Sequence, residues 1–170
     1  MGFLTDWGFS SQSWQGRRGE YWLLLQALCL IGFATLPVYR PEGWNLPSPP
    51  CIYWMRGGAA ILAAIAAVFL CKGLLDLGHN LTPLPYPKDD GELVQTGVYG
   101  IIRHPLYGGI ILAAIAWTLW QLSLSHLIGT FVLLMVLNAK ASREETWLTE
   151  KYPEYPNYRQ RTKKLIPWVY

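Results

Sequence analysis

The longest stretch without a charged side chain runs from residue 105 to residue 139, which is thirty-five residues. A single helix of that length would measure about 52 Å at 1.5 Å per residue, whereas the hydrocarbon core of a bilayer is roughly 30 Å thick. The stretch must therefore fold back on itself. Two shorter uncharged stretches, 21–39 and 57–71, precede it, and only 15% of the residues are charged, against about 25% in an average soluble domain. These features predict a multi-pass membrane protein.

The fold class predicted is an all-α transmembrane helical bundle with about four spans, in a single integral membrane domain over 1–170. A turn at residues 122–126 would divide the long stretch into helices over about 105–121 and 124–149. The second of these helices continues into polar sequence and should emerge from the bilayer. A loop rich in proline follows the first span, since that span ends near Pro37 and Pro41.

The distribution of lysine and arginine predicts the topology, because these residues are enriched in short cytoplasmic segments. One side would hold only Arg40 and Arg56. The other would hold Arg17, Arg18, Lys72, Lys88, Arg103, Lys140, Arg143, Lys151, Arg159, Arg161, Lys163 and Lys164. Both termini, including the segment 1–20, and the segment 73–104 are therefore predicted to be cytosolic, in an inner membrane if the source is bacterial or the endoplasmic reticulum if it is eukaryotic.

Other features exclude several classes of protein. The cysteines Cys29, Cys51 and Cys71 form no C-x-x-C pair, so neither a disulfide framework nor a metal site is predicted. The first twenty residues lack an apolar h-region, and we expect no cleaved signal peptide. No nucleic-acid recognition module is visible.

Small residues occur at helical spacing in the second span, where Ala59, Ala63 and Ala67 are four apart, and the third span carries Gly109 and Ala113. Small side chains at this spacing allow close approach of two helices in a membrane. An equally good interpretation is that alanine is simply a good helix former.

Polar sequence is concentrated in two segments predicted to be cytosolic, 73–107 and 138–170, which we expect to meet. In the second segment Lys140 and Glu144 are four residues apart and share one helical face, whereas Glu145 points about 100° away. A solvated ion pair would explain this spacing, but charges at a membrane surface usually have a function. In the first segment Arg103, His104 and Tyr107 gather around Pro105 at the start of a helix, where anionic groups are attracted.

Together these motifs carry a resemblance to a known family. Leu93-Val-Gln-Thr-Gly97-Val-Tyr99, then Arg103-His104-Pro105-Leu106-Tyr107, then Glu144-Glu145-Thr-Trp-Leu148 occur in that order. The C-terminal half of the chain, residues 73–170, resembles the isoprenylcysteine carboxyl methyltransferases. These are integral membrane enzymes that transfer the methyl group of S-adenosylmethionine. The resemblance implies that cofactor, a cytosolic cofactor-binding loop and a C-terminal lid.

The resemblance also implies site residues. The cofactor pocket falls on Leu93, Val94, Tyr99, His104, Pro105, Leu106, Tyr107 and Glu144. The catalytic residues implied are Arg103, Lys140 and Glu144, of which Arg103 and Lys140 would bind substrate. Lys140 stands where the family has an arginine that contacts a carboxylate, and lysine keeps the charge but loses the bidentate fork. Arg103 is either a second anion contact, which is the interpretation we favour, or an organiser of the loop.

Within this resemblance, the expected reaction is O-methylation of a carboxylate of the isoprenylcysteine type. The substrate would be lipophilic or prenylated and would enter from the bilayer among the membrane lipids. N- or S-methylation of lipid amines or thiols is the alternative within the same class. No G-x-G turn occurs, which argues against a Rossmann-type nucleotide site.

A different enzyme class also has similar motifs. The C-terminal part of membrane sterol reductases resembles R-H-P-x-Y, an acidic helix and a tail of the form Ile166-Pro167-Trp168-Val169-Tyr170. That resemblance implies NADPH as the cofactor. A non-enzymatic protein whose polar segments only pack together is the third interpretation.

Overall fold

The computed structural model describes residues 18–167 and 169–170. Among them it contains helices and no strand. The α-helices are α1 (Glu20–Thr35), α2 (Pro49–Leu77), α3 (Pro105–Gln121), α4 (Leu124–Lys151) and α5 (Tyr155–Arg161), with short 3-10 helices at Gly78–Asn80 and Gly97–Gly100. The predictions for residues 1–17, including Arg17 and the absence of a signal peptide, and for Trp168 lie outside the described residues.

The turn in the long uncharged stretch lies where it was predicted. Helix α3 ends at Gln121, and the next residue, Leu122, adopts the left-handed conformation with φ 47°. Ser123 then caps α4, because its hydroxyl accepts from the backbone N–H of His126. The all-helical class is confirmed.

Two of the helices are long and apolar enough to cross a membrane, the segment Pro49–Asn80 and α4. Helices α1 and α3 are apolar but shorter, with 16 and 17 residues. Helix α2 packs mainly on α3, α3 on α4, and α1 on α4. Four apolar helices therefore form one bundle, and four spans remain the prediction.

The two polar segments meet at one end of this bundle, as predicted. Arg18 pairs with Asp89 at 2.7 Å, and Lys151 donates to the backbone carbonyl of Asp89 at 3.1 Å. At the other end Arg40 donates to the carbonyls of Gln121 and Leu122, at the turn between α3 and α4. The segment 73–107 and the end of α4 are far apart along the chain, but they lie next to each other and form one surface.

Small residues do form the α2–α3 interface, but their positions differ from the expected ones. The buried small residues of α2 are Ala59, Ala66 and Gly73, while Ala63 and Ala67 are exposed. The spacing is seven residues, two helical turns, so this face stays in line with α3 along its length. A Cβ on Gly109 of α3 would lie 3.2 Å from the carbonyl oxygen of Ala66. The spacing-four prediction is therefore right for Ala59 and wrong for Ala63 and Ala67, which lie away from α3.

Gly108 gives a test of how closely the C-terminal segment packs. A Cβ there would lie 2.6 Å from the backbone oxygen of Leu165, which cannot move without shifting the segment. We expect Gly108→Ala to lower the free energy of unfolding by about 1 to 3 kcal/mol, measured by denaturant titration in detergent. Gly58→Ala is the control, because a Cβ added to Gly58 on α2 would have nothing within 4 Å, and there alanine should stabilise the helix. Equal effects of the two substitutions would contradict this account.

Candidate active site

The Arg103-His104 motif is held in place by the C-terminal segment. The backbone N–H of Arg103 donates to the carbonyl of Lys163 at 2.8 Å, and that of His104 donates to the carbonyl of Lys164 at 3.1 Å. Ile102 and Lys163 form a parallel β-bridge. The strap from residue 163 to residue 165 therefore fixes the backbone of the motif where α3 begins.

Glu145 binds both side chains of this motif. Its carboxylate lies 2.9 Å from Nε of Arg103 and 3.3 Å from Nε2 of His104, and the side chains of Arg103 and Glu145 are only 8% and 7% exposed. The guanidinium also donates to the carbonyls of Arg159 and Thr162. Arg103 is thus committed largely to protein oxygens, which favours its role as an organiser of the loop.

The sequence motifs do not indicate Glu145. They indicate Glu144, which shares a helical face with Lys140, whereas Glu145 points about 100° away. The paired carboxylates beside a buried Arg-His motif were the available signal, because a buried guanidinium needs an anionic partner.

Glu144 lies beside the other ring nitrogen of His104 and remains partly exposed. Its carboxylate accepts from the hydroxyl of Tyr107 at 2.9 Å and lies 3.8 Å from Nδ1 of His104. The rings of His104 and Tyr107 stack with centroids 5.4 Å apart and planes 9° from parallel. The side chain of Glu144 is 25% exposed, so it can contact a ligand that Glu145 cannot reach.

Lys140 lies one turn before Glu144 and is almost completely buried, at 2% exposed. Its ammonium donates to Oε1 of Gln26 at 2.6 Å and to the carbonyl of Pro83 at 3.3 Å. It also sits 5.2 Å from the ring centroid of Tyr107. Helix α1 therefore contributes to the site through Gln26, a residue that the sequence motifs did not indicate.

Three tyrosines form the wall between the loop and the C-terminal segment. The hydroxyl of Tyr99 donates to the carbonyl of Gly73 at 3.3 Å, and that of Tyr158 donates to the carbonyl of Tyr99 at 2.6 Å. The buried hydroxyl of Tyr155 has no hydrogen-bond partner among the described residues. Burial raises the pKa of all three well above the ordinary value, so each hydroxyl is a donor at physiological pH.

The glycine of the L-V-x-x-G-x-Y motif has a local structural reason. Gly97 has φ 60°, and a Cβ there would collide with the carboxylate of Asp76. That carboxylate accepts from the backbone N–H of Val98 at 2.9 Å and pairs with Lys72. The loop is thereby tied to the end of α2, which places Tyr99 against Gly73.

Two cavities meet at this wall. The loop cavity, about 90 Å³, is lined by residues that include Leu93, Val94, Tyr99, Arg103, Glu144 and Tyr155. The bundle cavity, about 290 Å³, is lined by residues that include Leu23, Gln26, Leu70, Leu74, Tyr99, Arg103, His104, Pro105, Leu106, Tyr107, Lys140 and Glu144. Tyr99, Arg103 and Glu144 line both. Every site residue suggested by the sequence lines one of these cavities, although His104 to Tyr107 line the bundle cavity rather than the loop cavity.

A wider polar depression of about 850 Å³ lies on the other side of Glu145, between α4 and the C-terminal segment. Lys164 is its most buried cation, and burial lowers the pKa of that ammonium. The ammonium already donates to Oδ1 of Asn138 at 2.8 Å and to the hydroxyl of Ser142 at 2.6 Å. The polar side chains of the depression therefore hold the strap against α4. The two smaller cavities are the better candidates for the active site.

Methyltransferases and a reductase are among the known proteins with similar sequences. The chain is 34% identical over 145 residues to the protein-S-isoprenylcysteine O-methyltransferase of Saccharomyces cerevisiae, covering 83% of this chain and 59% of that protein. It is 25% identical over 151 residues to the methanethiol S-methyltransferase of a Pseudomonas strain, covering 82% of this chain and 55% of that protein. It is 34% identical over 84 residues to the Delta(14)-sterol reductase TM7SF2 of Mus musculus, covering 46% of this chain and 20% of that protein.

The fold has a solved counterpart. The structure of the eukaryotic intramembrane Ras methyltransferase, an isoprenylcysteine carboxyl methyltransferase, matches with a TM-score of 0.64 at 21% identity, covering 94% of this chain and 57% of that one. The chain spans between 44% and 59% of the length of these methyltransferases and of a second similar methanethiol S-methyltransferase.

The resemblance found in the sequence motifs is confirmed by these matches. A model of the phospholipid methyltransferase family also matches residues 54–155, more than half of the chain, and the match contains the Arg-His motif and both glutamates. The chain therefore belongs to the phospholipid methyltransferase family and is similar to its isoprenylcysteine methyltransferases.

Proposed function

We propose that the protein is an S-adenosylmethionine-dependent methyltransferase that O-methylates a carboxylate on an amphiphilic substrate of the isoprenylcysteine type. The observation that carries the proposal is the pair of cavities sharing Tyr99, Arg103 and Glu144. Methyl transfer needs a donor and an acceptor side by side and in line. Two cavities that meet at one wall would hold a donor and an acceptor next to each other.

The residues that line the loop cavity offer groups that suit part of S-adenosylmethionine, although the cavity, at about 90 Å³, is smaller than the whole cofactor. The cofactor supplies an electrophilic methyl group on a sulfonium cation. Glu144 offers a partly exposed carboxylate to a cationic ligand, and Leu93 and Val94 offer an apolar surface. Tyr155 lines the same cavity with a buried hydroxyl that has no partner in the described part of the chain, and such a group is costly unless a ligand accepts from it.

The bundle cavity fits the acceptor. Its apolar lining comes from leucines of α1 and α2, among them Leu23, Leu70 and Leu74, and its charged end is Lys140. A carboxylate oxygen held there would form the new oxygen–carbon bond as the sulfur–carbon bond breaks, giving a neutral ester and a neutral thioether. An ionised carboxylate needs no general base, so the site has to orient the oxygen rather than remove a proton.

Residues around the two cavities orient the side chains that would contact the cofactor and the acceptor. Glu145 holds Arg103 and His104, and the stacked rings of His104 and Tyr107 hold the hydroxyl that bonds Glu144. The C-terminal segment covers the motif and limits access of water, which strengthens the electrostatic interactions. Arg103 and His104 thus act mainly through the groups they orient.

The membrane arrangement belongs to the same proposal. The 170 residues would form one integral domain with four spans, and the end carrying both polar segments would face the cytosol. An apolar tail would enter from the bilayer between α1 and α2, since Leu74 lines the cavity and is 47% exposed.

S-methylation of a thiol is the second candidate, because the similar Pseudomonas protein is a methanethiol S-methyltransferase. A thiol would have to lose its proton, so its rate should rise with pH, whereas carboxylate methylation should be insensitive to pH above about 6.

The proposal is tested with purified protein in nanodiscs and methyl-labelled S-adenosylmethionine. We expect saturable binding and transfer of label to N-acetyl-S-farnesylcysteine, recovered as a base-labile methyl ester. Label recovered on an alkanethiol alone would establish the second candidate. Thermal stabilisation by NADPH and none by S-adenosylmethionine would replace both with the reductase function suggested by the sterol-reductase similarity.

Tyr155→Phe tests the unpaired hydroxyl. Without ligand the substitution removes a buried group that has no partner among the described residues, so the melting temperature should stay equal or rise. The affinity for S-adenosylmethionine should fall about tenfold, by about 1.4 kcal/mol, in isothermal titration. Tyr158→Phe is the contrasting variant, because its hydroxyl donates to the carbonyl of Tyr99 and its loss should lower stability. Unchanged affinity in Tyr155→Phe would remove this tyrosine from the ligand site.

A further inference from the structure

Gln26 is the one amide side chain of α1, and it points into the bundle cavity rather than into lipid. Polar side chains in apolar helices of membrane proteins usually face the bundle interior and serve a function. Helix α1 lies outside the region matched by the family, which begins at residue 54. Gln26 is therefore not part of the motifs that the family model matches.

The hydrogen bond between Gln26 and Lys140 fixes the orientation of the amide. Oε1 accepts from the ammonium at 2.6 Å, so the NH₂ group must lie on the other side of the amide carbon. Among the described residues this NH₂ group has no acceptor. It is a donor held beside a cation, on a side chain that lines the cavity.

The ammonium of Lys140 also has capacity for a ligand. It carries three N–H donors, and two protein oxygens accept from it, Oε1 of Gln26 and the carbonyl of Pro83. Lysine alone presents a point charge, whereas a carboxylate is recognised best by two parallel donors, as in an arginine fork. Lys140 supplies a charge, and Gln26, whose amide oxygen is bonded to that ammonium, supplies a second donor at the same cavity.

We propose that Gln26 and Lys140 together form the head-group site of the acceptor, with the ammonium and the side-chain amide each donating to one oxygen of a carboxylate. Gln26 is then a specificity-determining residue that selects planar, two-oxygen anions over amines and alcohols. This inference rests on the proposed function, because it names the head group that the same bundle cavity would take.

The experiment measures competition by twelve-carbon amphiphiles. A fluorescent fatty acid, 11-(dansylamino)undecanoate, is bound to the protein in nanodiscs and displaced by dodecanoate, dodecanol or dodecylamine. Partition into the nanodisc is the same for every variant, so differences between variants report the site. The wild type should bind dodecanoate at least tenfold more tightly than dodecanol and dodecylamine.

Two substitutions separate the charge from the second donor. Gln26→Leu keeps the bulk and removes the donor, and should weaken dodecanoate about tenfold. Gln26→Glu places a carboxylate against the ammonium, and should weaken dodecanoate about a hundredfold while strengthening dodecylamine. Leu24→Ala is the control, because Leu24 lies on the same helix and is 58% exposed. If the leucine variant does not fold, Gln26→Asn retains the amide but withdraws it by one methylene, and should likewise lose the preference for dodecanoate.

Affinity for S-adenosylmethionine is measured in parallel and should change less than twofold in the Gln26 variants. Unchanged dodecanoate affinity in folded Gln26 variants would overturn the inference. Parallel loss of dodecanoate, S-adenosylmethionine and melting temperature would also overturn it, since that pattern indicates a structural role. If the wild type prefers dodecanoate but does not bind S-adenosylmethionine, the methyltransferase proposal fails and the carboxylate site stands.

Discussion

Replacing Glu145 with alanine should lower the free energy of unfolding by about 3 to 5 kcal/mol. The substitution leaves the guanidinium of Arg103, 8% exposed, without its carboxylate, and it removes the nearer of the two carboxylates beside His104. An uncompensated buried charge is among the most destabilising changes known for a folded protein. Denaturant titration in detergent measures the loss.

Glu150→Ala is the matched control for this prediction, because Glu150 is an exposed glutamate on the same helix and should change stability by about 0.5 kcal/mol or less. The double variant Arg103→Met with Glu145→Leu should recover part of the loss, since apolar groups can replace a buried ion pair. A loss for Glu145→Ala no larger than that of the control would show that the carboxylate does not hold the motif.

Replacing Glu144, the adjacent residue, should instead affect ligand binding. Glu144→Gln keeps the shape and an oxygen that can accept from Tyr107, but removes the negative charge facing a cationic cofactor. Loss of one charge-assisted contact is worth about 1.5 to 3 kcal/mol, so the affinity for S-adenosylmethionine should fall about 10- to 100-fold. Glu144→Ala, which also releases Tyr107, should abolish measurable binding.

Glu144 and Glu145 are expected to differ in what their loss affects, ligand binding for the first and stability for the second. Its side chain is 25% exposed, so Glu144→Gln should leave the melting temperature nearly unchanged. Isothermal titration with S-adenosylhomocysteine, which lacks the sulfonium charge, gives the second measurement: its affinity should fall much less. Equal losses for the charged and neutral ligands would assign Glu144 to another part of the ligand.

Local sequence was sufficient to predict the helices around the site. The uncharged length between Pro105 and Lys140, with polar residues near its middle, predicted both helices of the pair, and their boundaries lie within about two residues of those predicted. Such patterns succeed because the cost of burying charge and the thickness of a bilayer act on each segment separately.

Contacts between segments were the part that the sequence could not predict. Glu144 and Glu145 are chemically equal in the sequence, and only the position of the Arg-His motif decides which one is buried. Gln26 is separated from Lys140 by 114 residues, and its role depends on how α1 lies against α4. The choice of Ala66 over Ala63 and Ala67 likewise depends on the rotation of α2 against α3.

The β-bridge between Ile102 and Lys163 also has a kinetic consequence. It joins residues about sixty positions apart in the chain, so forming it requires closing a long loop. The conformational entropy of that loop is lost before the contact is gained. The helices can form from local hydrogen bonds alone, whereas the Arg-His backbone acquires its partners only when the strap docks. Assembly of the site should therefore be a late step in folding, separable in time from formation of the helical bundle.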